Sequence, residues 1–196
     1  MIDRTHLATS DGETLEARWD SPDEPTGVVV FCHPHPLQGG SMMAPLMIGV
    51  TTRLVERGFS VLRFNFRGTG DSTGTHDHGD AERLDVAAAV DAARGTGLGI
   101  HLSGWSFGAG TALRWLGEQT EPMPYSGIAP ADLNLPDELP PGPKRIVVGT
   151  RDQVIDIEAI RAYAEQQSID LLLTPGDHFF HGRGRKIGDL VAQGFE

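Results

Sequence analysis

Two rhythms of hydrophobic residues alternate along this chain. Short runs that are continuously apolar, or apolar at every second position, read as strands. Val28–Cys32 is apolar throughout, as a strand covered on both faces must be, whereas Thr14–Asp20 and Phe59–Phe66 alternate. Leu98–Leu102, Ser126–Ala129, Arg145–Gly149 and Ile169–Leu173 supply further strands. Between them lie stretches with the helical period. Pro45 suits a first helical position, Leu46, Val50 and Leu54 share one face, and Gly58 provides a stop. Residues 80–94 repeat the pattern with Val86, Val90 and Ala93 on one stripe and Gly95 closing it, and Phe107–Leu116, Ile157–Gln166 and 184–193 follow.

Strands alternating with helices predict an α/β fold: a mostly parallel sheet of about eight strands with helices on both faces. Residues 5–20 form a hairpin about Ser10-Asp11-Gly12-Glu13, placing an antiparallel pair at one edge. Only about fifteen residues, five of them proline, separate the strands at 126–129 and 145–149, too few for a helical cap domain.

Composition narrows the function. A length of 196 residues fits one domain spanning 1–196. The net charge of −11 argues against nucleic acid, whose phosphates need clustered Lys and Arg. No apolar run approaches the ~20 residues of a membrane span, and the charged start Met1-Ile2-Asp3-Arg4 does not resemble a signal peptide. Cys32 is the single cysteine, so no intramolecular disulfide forms. The expectation is a cytoplasmic protein with no membrane or nucleic-acid partner; its oligomeric state is not legible.

Gly104-Trp105-Ser106-Phe107-Gly108 carries the sharpest chemical signal, because it lies between a strand and a helix. A strand turning directly into a helix strains the turn residue and exposes its side chain at the carboxyl edge of the sheet, while flanking glycines permit the close approach. A serine there is a candidate nucleophile and needs a base, which in turn needs a carboxylate. Asp152 and His178 follow two later strands in the required order, acid before base. Taken singly, Asp152 is as well explained as a turn carboxylate and His178 as a packed loop histidine; together, three correct residue types after three strands point to a triad.

Acyl transfer also requires two N–H donors for the developing oxyanion. Phe107, directly after the serine, is one candidate. The other comes from the loop Cys32-His33-Pro34-His35-Pro36-Leu37, where the prolines lack an N–H and leave His35, the preferred candidate, or Leu37. Met42, Met43, Trp105 and Phe180 are candidates to line a substrate pocket, although core packing explains each equally well.

The stretches His33-Pro34-His35-Pro36 with Gly39-Gly40, Arg63-Phe64-Asn65-Phe66-Arg67-Gly68 with Gly70 and Ser72, Gly104–Gly108, Gly149 with Asp152, and Gly176–Phe180 resemble the α/β-hydrolases, and more narrowly the small lidless bacterial members akin to dienelactone hydrolases and serine esterases. The matching segments run from about residue 28 to 182 in family order. Ser106 replaces the cysteine nucleophile of dienelactone hydrolases, so their lactone substrate does not carry over. The resemblance implies a single-domain α/β-hydrolase fold, a serine hydrolase acting on a small-molecule ester or thioester, and no cofactor. Arg67 is expected to pair with a carboxylate. The clusters Thr75-His76-Asp77-His78 and His178–His181 lack zinc-hydrolase spacing, so no metal is expected, and the first cluster is read as a solvated loop. A non-catalytic binding protein of this fold and a serine peptidase or amidase are the alternatives.

Overall fold

The computed structural model describes residues 2–131 and 134–196. Eight strands form one sheet: β1 (Ile2–Ala8), β2 (Thr14–Asp20), β3 (Gly27–Cys32), β4 (Phe59–Phe64), β5 (Ile100–Trp105), β6 (Tyr125–Ile128), β7 (Lys144–Gly149) and β8 (Asp170–Thr174). The helices are α1 (Pro45–Glu56), α2 (Glu82–Arg94), α3 (Phe107–Leu116), α4 (Ile157–Gln166) and α5 (Gly184–Gln193). The strand order is β1-β2-β4-β3-β5-β6-β7-β8. The first two strands pair antiparallel at the edge, β2 joins β4 antiparallel, and the remaining neighbours are parallel.

The continuous apolarity of β3 follows from this order, since it is an inner strand with both faces covered. Val28, Val30 and Cys32 face a core shared with α2, α3 and α4, whereas Val29 and Phe31 face one shared with α1 and α5. The sheet order also fixes where a site can form. β3 is followed on one side by β4 and on the other by β5, so the chain reverses its direction of travel between β3 and β5. Such a switch point opens a crevice at the carboxyl ends of the strands. Cys32 and Gly104 are register partners there, which brings the loops after β3 and β5 side by side.

Several boundaries differ from the sequence expectation by one to three residues, β4 ending at Phe64 and α2 beginning at Glu82 among them, and two have a clear cause. β5 begins at Ile100 and runs through Ser103-Gly104-Trp105, residues that read as turn formers. They remain in the strand because they are buried and bonded: Ser103 Oγ donates to the Ser126 carbonyl at 2.6 Å. The opening strand starts at Ile2, three residues earlier than the hydrophobic pattern indicates, because backbone pairing with β2 continues past the apolar positions. Among the described residues between β6 and β7, no helix forms.

Arg67 meets its expected carboxylate. Its guanidinium bonds the buried Asp85 through Nε (3.0 Å) and Nη2 (2.7 Å), its backbone N–H donates to the same group at 2.9 Å, and Nη1 reaches Asp11 at 2.8 Å. Burial pushes the Asp85 carboxyl up to about 6 against the pull of Arg67. The pair ties the loop after β4 to α2 and to the β1–β2 hairpin.

Candidate active site

The turn between β5 and α3 is strained in the manner the motif requires. Ser106 has φ 56° and ψ −121°, a conformation that costs a non-glycine residue about 1–3 kcal/mol and persists only where the surroundings enforce it. Here they do. The Ser106 N–H donates to the Ile128 carbonyl at 2.8 Å, and its own carbonyl accepts from Gly110 and Ala131, both at 3.1 Å. The two motif glycines are equally constrained. A Cβ at Gly104 would lie 2.6 Å from the Ala109 nitrogen, and one at Gly108 would lie 2.3 Å from the His33 carbonyl oxygen. Side chains at these positions would drive α3 off the sheet.

Two loops bring the partners of Ser106 to the same edge. After β7, the Asp152 N–H closes a turn on Gly149, and Oδ1 accepts the N–H groups of Val154 (2.9 Å) and Ile155 (3.2 Å). Oδ2 is left facing the ring of His178, at 2.8 Å from Nδ1. After β8, Asp177 caps its own turn by accepting from Phe179 and Phe180. The Trp105 indole N–H donates to the His178 carbonyl at 3.1 Å, and Arg151 N–H bonds the Gly176 carbonyl at 2.9 Å, tying the two loops together. His178 Nε2 then stands 2.9 Å from Ser106 Oγ. A carboxylate offers only lone pairs, so the proton of the neutral ring sits on Nδ1 and Nε2 faces the serine hydroxyl as an acceptor. Ser106, Asp152 and His178 are all buried.

The loop after β3 carries both candidates for the second donor. His33 is buried, its Nε2 accepts the Phe66 N–H at 2.9 Å, and its Nδ1 donates to the Pro34 carbonyl at 2.6 Å. Burial pushes the ring down to about 4, so it stays neutral and holds the loop in place. Of the two alternatives, Leu37 is committed elsewhere: its N–H donates to His35 Nδ1 at 3.2 Å in a short 3-10 turn, Pro36–Gln38, and its side chain is 71% exposed. The N–H groups of His35 and Phe107 meet no acceptor among the described residues. Phe107 opens α3, where the helix dipole favours negative charge. The two rings pack at 5.1 Å, and burial, followed by the neighbouring His76, lowers the pKa of His35.

A pocket of about 240 Å³ opens over the serine, walled by Gly39, Gly40, Leu46, Trp105, His178 and Phe179. Trp105 is thus on the wall of this pocket. Met42 does not line this pocket: it is buried, its N–H donates to Asn65 Oδ1 at 2.9 Å and its carbonyl accepts from Arg63 at 2.7 Å. Phe180 is also absent from the wall, being turned into the α1–α5 core by its positive φ of 46°, so that Phe179 faces the pocket instead. Met43 is exposed on another surface.

His76 is a correction of a different kind. Far from decorating a solvated loop, its side chain is buried, packs at a tilt against the rings of His35 and Phe107 with centroids at 4.9 and 5.3 Å, and puts Nδ1 2.7 Å from the carboxylate of Glu82. Glu82 also accepts the N–H groups of Asp77 and Gly79, which braces the loop beneath the two free amides. No local signal in the sequence marks this pair, because the burial of Glu82 comes only with the folded chain.

No protein-family model matches the chain. An uncharacterized protein of Rickettsia prowazekii (strain Madrid E) is 31% identical over 193 aligned positions, covering 89% of this chain and 80% of the relative. Among solved structures, an α/β serine hydrolase without lid from Xanthomonas campestris is 28% identical with a TM-score of 0.86, covering 98% of this chain and 93% of its own. An α/β serine hydrolase homologue from Coxiella burnetii has the same identity and score, 28% and 0.86, covering 99% of this chain and 97% of its own.

Proposed function

The chain belongs to the α/β-hydrolase superfamily, among its lidless serine hydrolases, and on that premise we propose that it cleaves carboxylic esters of small molecules using Ser106, His178 and Asp152. The observation that carries the reading is the continuous path from Ser106 Oγ through His178 (2.9 Å) to Asp152 (2.8 Å), set in a pocket open to ligand.

Each step uses groups of this chain. Ser106 Oγ attacks the acyl carbon while its proton passes to His178 Nε2, and Asp152 stabilises the imidazolium and fixes its orientation. The carbonyl oxygen, now negative, takes the N–H groups of Phe107 and His35, each donor being worth about 10²–10³ in rate. The tetrahedral adduct collapses: the bond to the alcohol oxygen breaks and that oxygen leaves with the proton from Nε2. Water then attacks the acyl-serine, gives its proton to the same nitrogen, and releases the acid and the free hydroxyl.

Hydrolysis of 4-nitrophenyl acetate and butyrate by wild-type and Ser106→Ala protein tests the proposal. Loss of the nucleophile is expected to lower kcat by several orders of magnitude, on the order of 10⁴ or more, with the fold intact. Wild-type rates from the alanine variant would remove Ser106 from the chemistry. A matched anilide cleaved as fast as the ester would turn the reading toward an amidase.

A further inference from the structure

The loop between β4 and α2 carries a histidine against both residues that offer amide protons to the oxyanion, and no step of the reaction above uses it. The loop turns inward where His78 and Gly79 adopt positive φ, 53° and 93°. Gly79 is seated so closely on α3 that a Cβ there would meet Arg114 Nη1 at 2.7 Å and Phe107 Cε2 at 3.6 Å, and Arg114 pairs with Asp80. Within this turn the His76 side chain is only 4% exposed, with Nδ1 2.7 Å from the buried carboxylate of Glu82. Glu82 is itself held by the N–H groups of Asp77 (2.9 Å) and Gly79 (2.8 Å). The ring is therefore anchored through one nitrogen to a carboxylate that cannot move.

What the ring touches gives it a role. The rings of His76, His35 and Phe107 contact one another pairwise, at 4.9 Å for His76 with His35, 5.3 Å for His76 with Phe107 and 5.1 Å for His35 with Phe107. Two members of this triangle carry the backbone N–H groups that meet no acceptor among the described residues. His35 belongs to the loop after β3 and Phe107 to the first turn of α3, so the spacing of their amides depends on how two separate elements lean on each other. His33 settles only part of this. By donating to the Pro34 carbonyl it orients the peptide unit that holds the His35 N–H, which leaves the distance of that unit from α3 open. Two tilted rings in contact can slide over one another. A third ring packed against both removes that freedom, because a gap opened on either side forfeits close contacts.

We propose that His76 is a positioning residue of the oxyanion site, its ring setting the separation of the His35 and Phe107 amides while Glu82 holds the ring in place. The inference rests on the ester-hydrolase reading above. His76 is not on the wall of the pocket over Ser106, so it acts through those two residues and not on the ester.

Three replacements separate the ring from its polar anchor. His76→Ala removes both, His76→Gln keeps an amide to face Glu82 without a ring, and His76→Phe keeps a ring without a nitrogen. Each is assayed with 4-nitrophenyl butyrate at a temperature where a thermal melt shows it folded. The alanine and glutamine proteins are expected to lose about tenfold to a hundredfold in kcat, as amides displaced by up to about 1 Å would, with KM within about twofold of wild type. The phenylalanine protein, close in shape, is expected to recover kcat to within about threefold of wild type. An alkyl trifluoromethyl ketone supplies the second readout, since its adduct with a serine carries an oxyanion. Its affinity should fall by the same factor as kcat in each variant. A merely structural role would reduce the amount of active protein and leave the ketone affinity of the remainder unchanged. Wild-type kcat in the glutamine protein, a phenylalanine protein as slow as the alanine one, or a fall in kcat without weaker ketone binding overturns the assignment. Wild-type protein that turns over no ester and leaves Ser106 unreactive to a fluorophosphonate overturns instead the hydrolase reading beneath it.

Discussion

Replacing Gly108 by alanine tests the link between the elbow and the oxyanion loop. The added Cβ would stand 2.3 Å from the His33 carbonyl oxygen and 2.5 Å from that of Cys32, about 1 Å inside ordinary contact. Both atoms are backbone, so no side chain can swing away. Either α3 must slide off the sheet or the strand end carrying His33 must retreat. Overpacking of this kind costs about 1–3 kcal/mol. For a chain of this length that lowers Tm by roughly 2–12 °C. Because Phe107 moves with α3 and His35 with the loop, the two amides separate, and a displacement near 1 Å is expected to lower kcat about 100-fold. Thermal melts and ester kinetics read the two effects separately. Gly99→Ala, where a Cβ meets nothing within 4 Å, is the comparison and should leave both unchanged. A Gly108→Ala protein with wild-type Tm and kcat would show that the helix does not hold the loop as described.

Three further outcomes follow. Asp152→Asn keeps an acceptor for the Val154 and Ile155 amides but loses the carboxylate facing His178, so kcat should fall about 10³–10⁴-fold with little change in Tm; a drop under tenfold would contradict the path from carboxylate to ring. The buried His33 takes up a proton near pH 6.5 when unfolded but only at about 4 when folded, so between these values the unfolded chain binds more protons. Stability should therefore rise with pH across that window by about 3 kcal/mol and be fully present above it. His33→Gln should flatten the rise in urea titrations made from pH 4 to 7, and an unchanged slope would contradict the assignment. Trp105→Phe removes the indole donor to the His178 carbonyl, worth about 1 kcal/mol net, and should lower kcat/KM about fivefold; an unaltered value would mean that the bond does not position the histidine.

The sequence discloses features that repeat or that combine several residues in one local shape. The continuous apolarity of Val28–Cys32 marks an inner strand because both of its faces are covered. Gly104–Gly108 reads as a strand-to-helix turn because glycine is demanded at both ends by backbone contacts within 3 Å. The limits of α3, α4 and α5 coincide with the periodic stretches, where each turn buries one face. Loops have no period, and there the reading loses direction. A single positive φ at Phe180 reverses which of two adjacent phenylalanines faces the pocket. Leu37 stays in contention beside the preferred His35 until the 3-10 turn consumes its amide. His76 looks solvated because its neighbours are polar, yet Glu82 and the His35–Phe107 pair draw it inward, a tertiary event with no local trace. The cleft lined by His35, His78, Phe107, Pro130 and Val154 has the same origin, since its walls come from five separate segments that only the folded sheet brings together.

The account stands on Ser106 being the group that is acylated. Treatment with a fluorophosphonate, followed by intact-mass measurement and peptide mapping, examines this directly. One adduct per chain is predicted, carried on Ser106, with ester hydrolysis disappearing in step with its formation and no adduct on the Ser106→Ala protein. Undiminished hydrolysis by a protein fully modified at Ser106, or an adduct on another residue that alone abolishes activity, would contradict it.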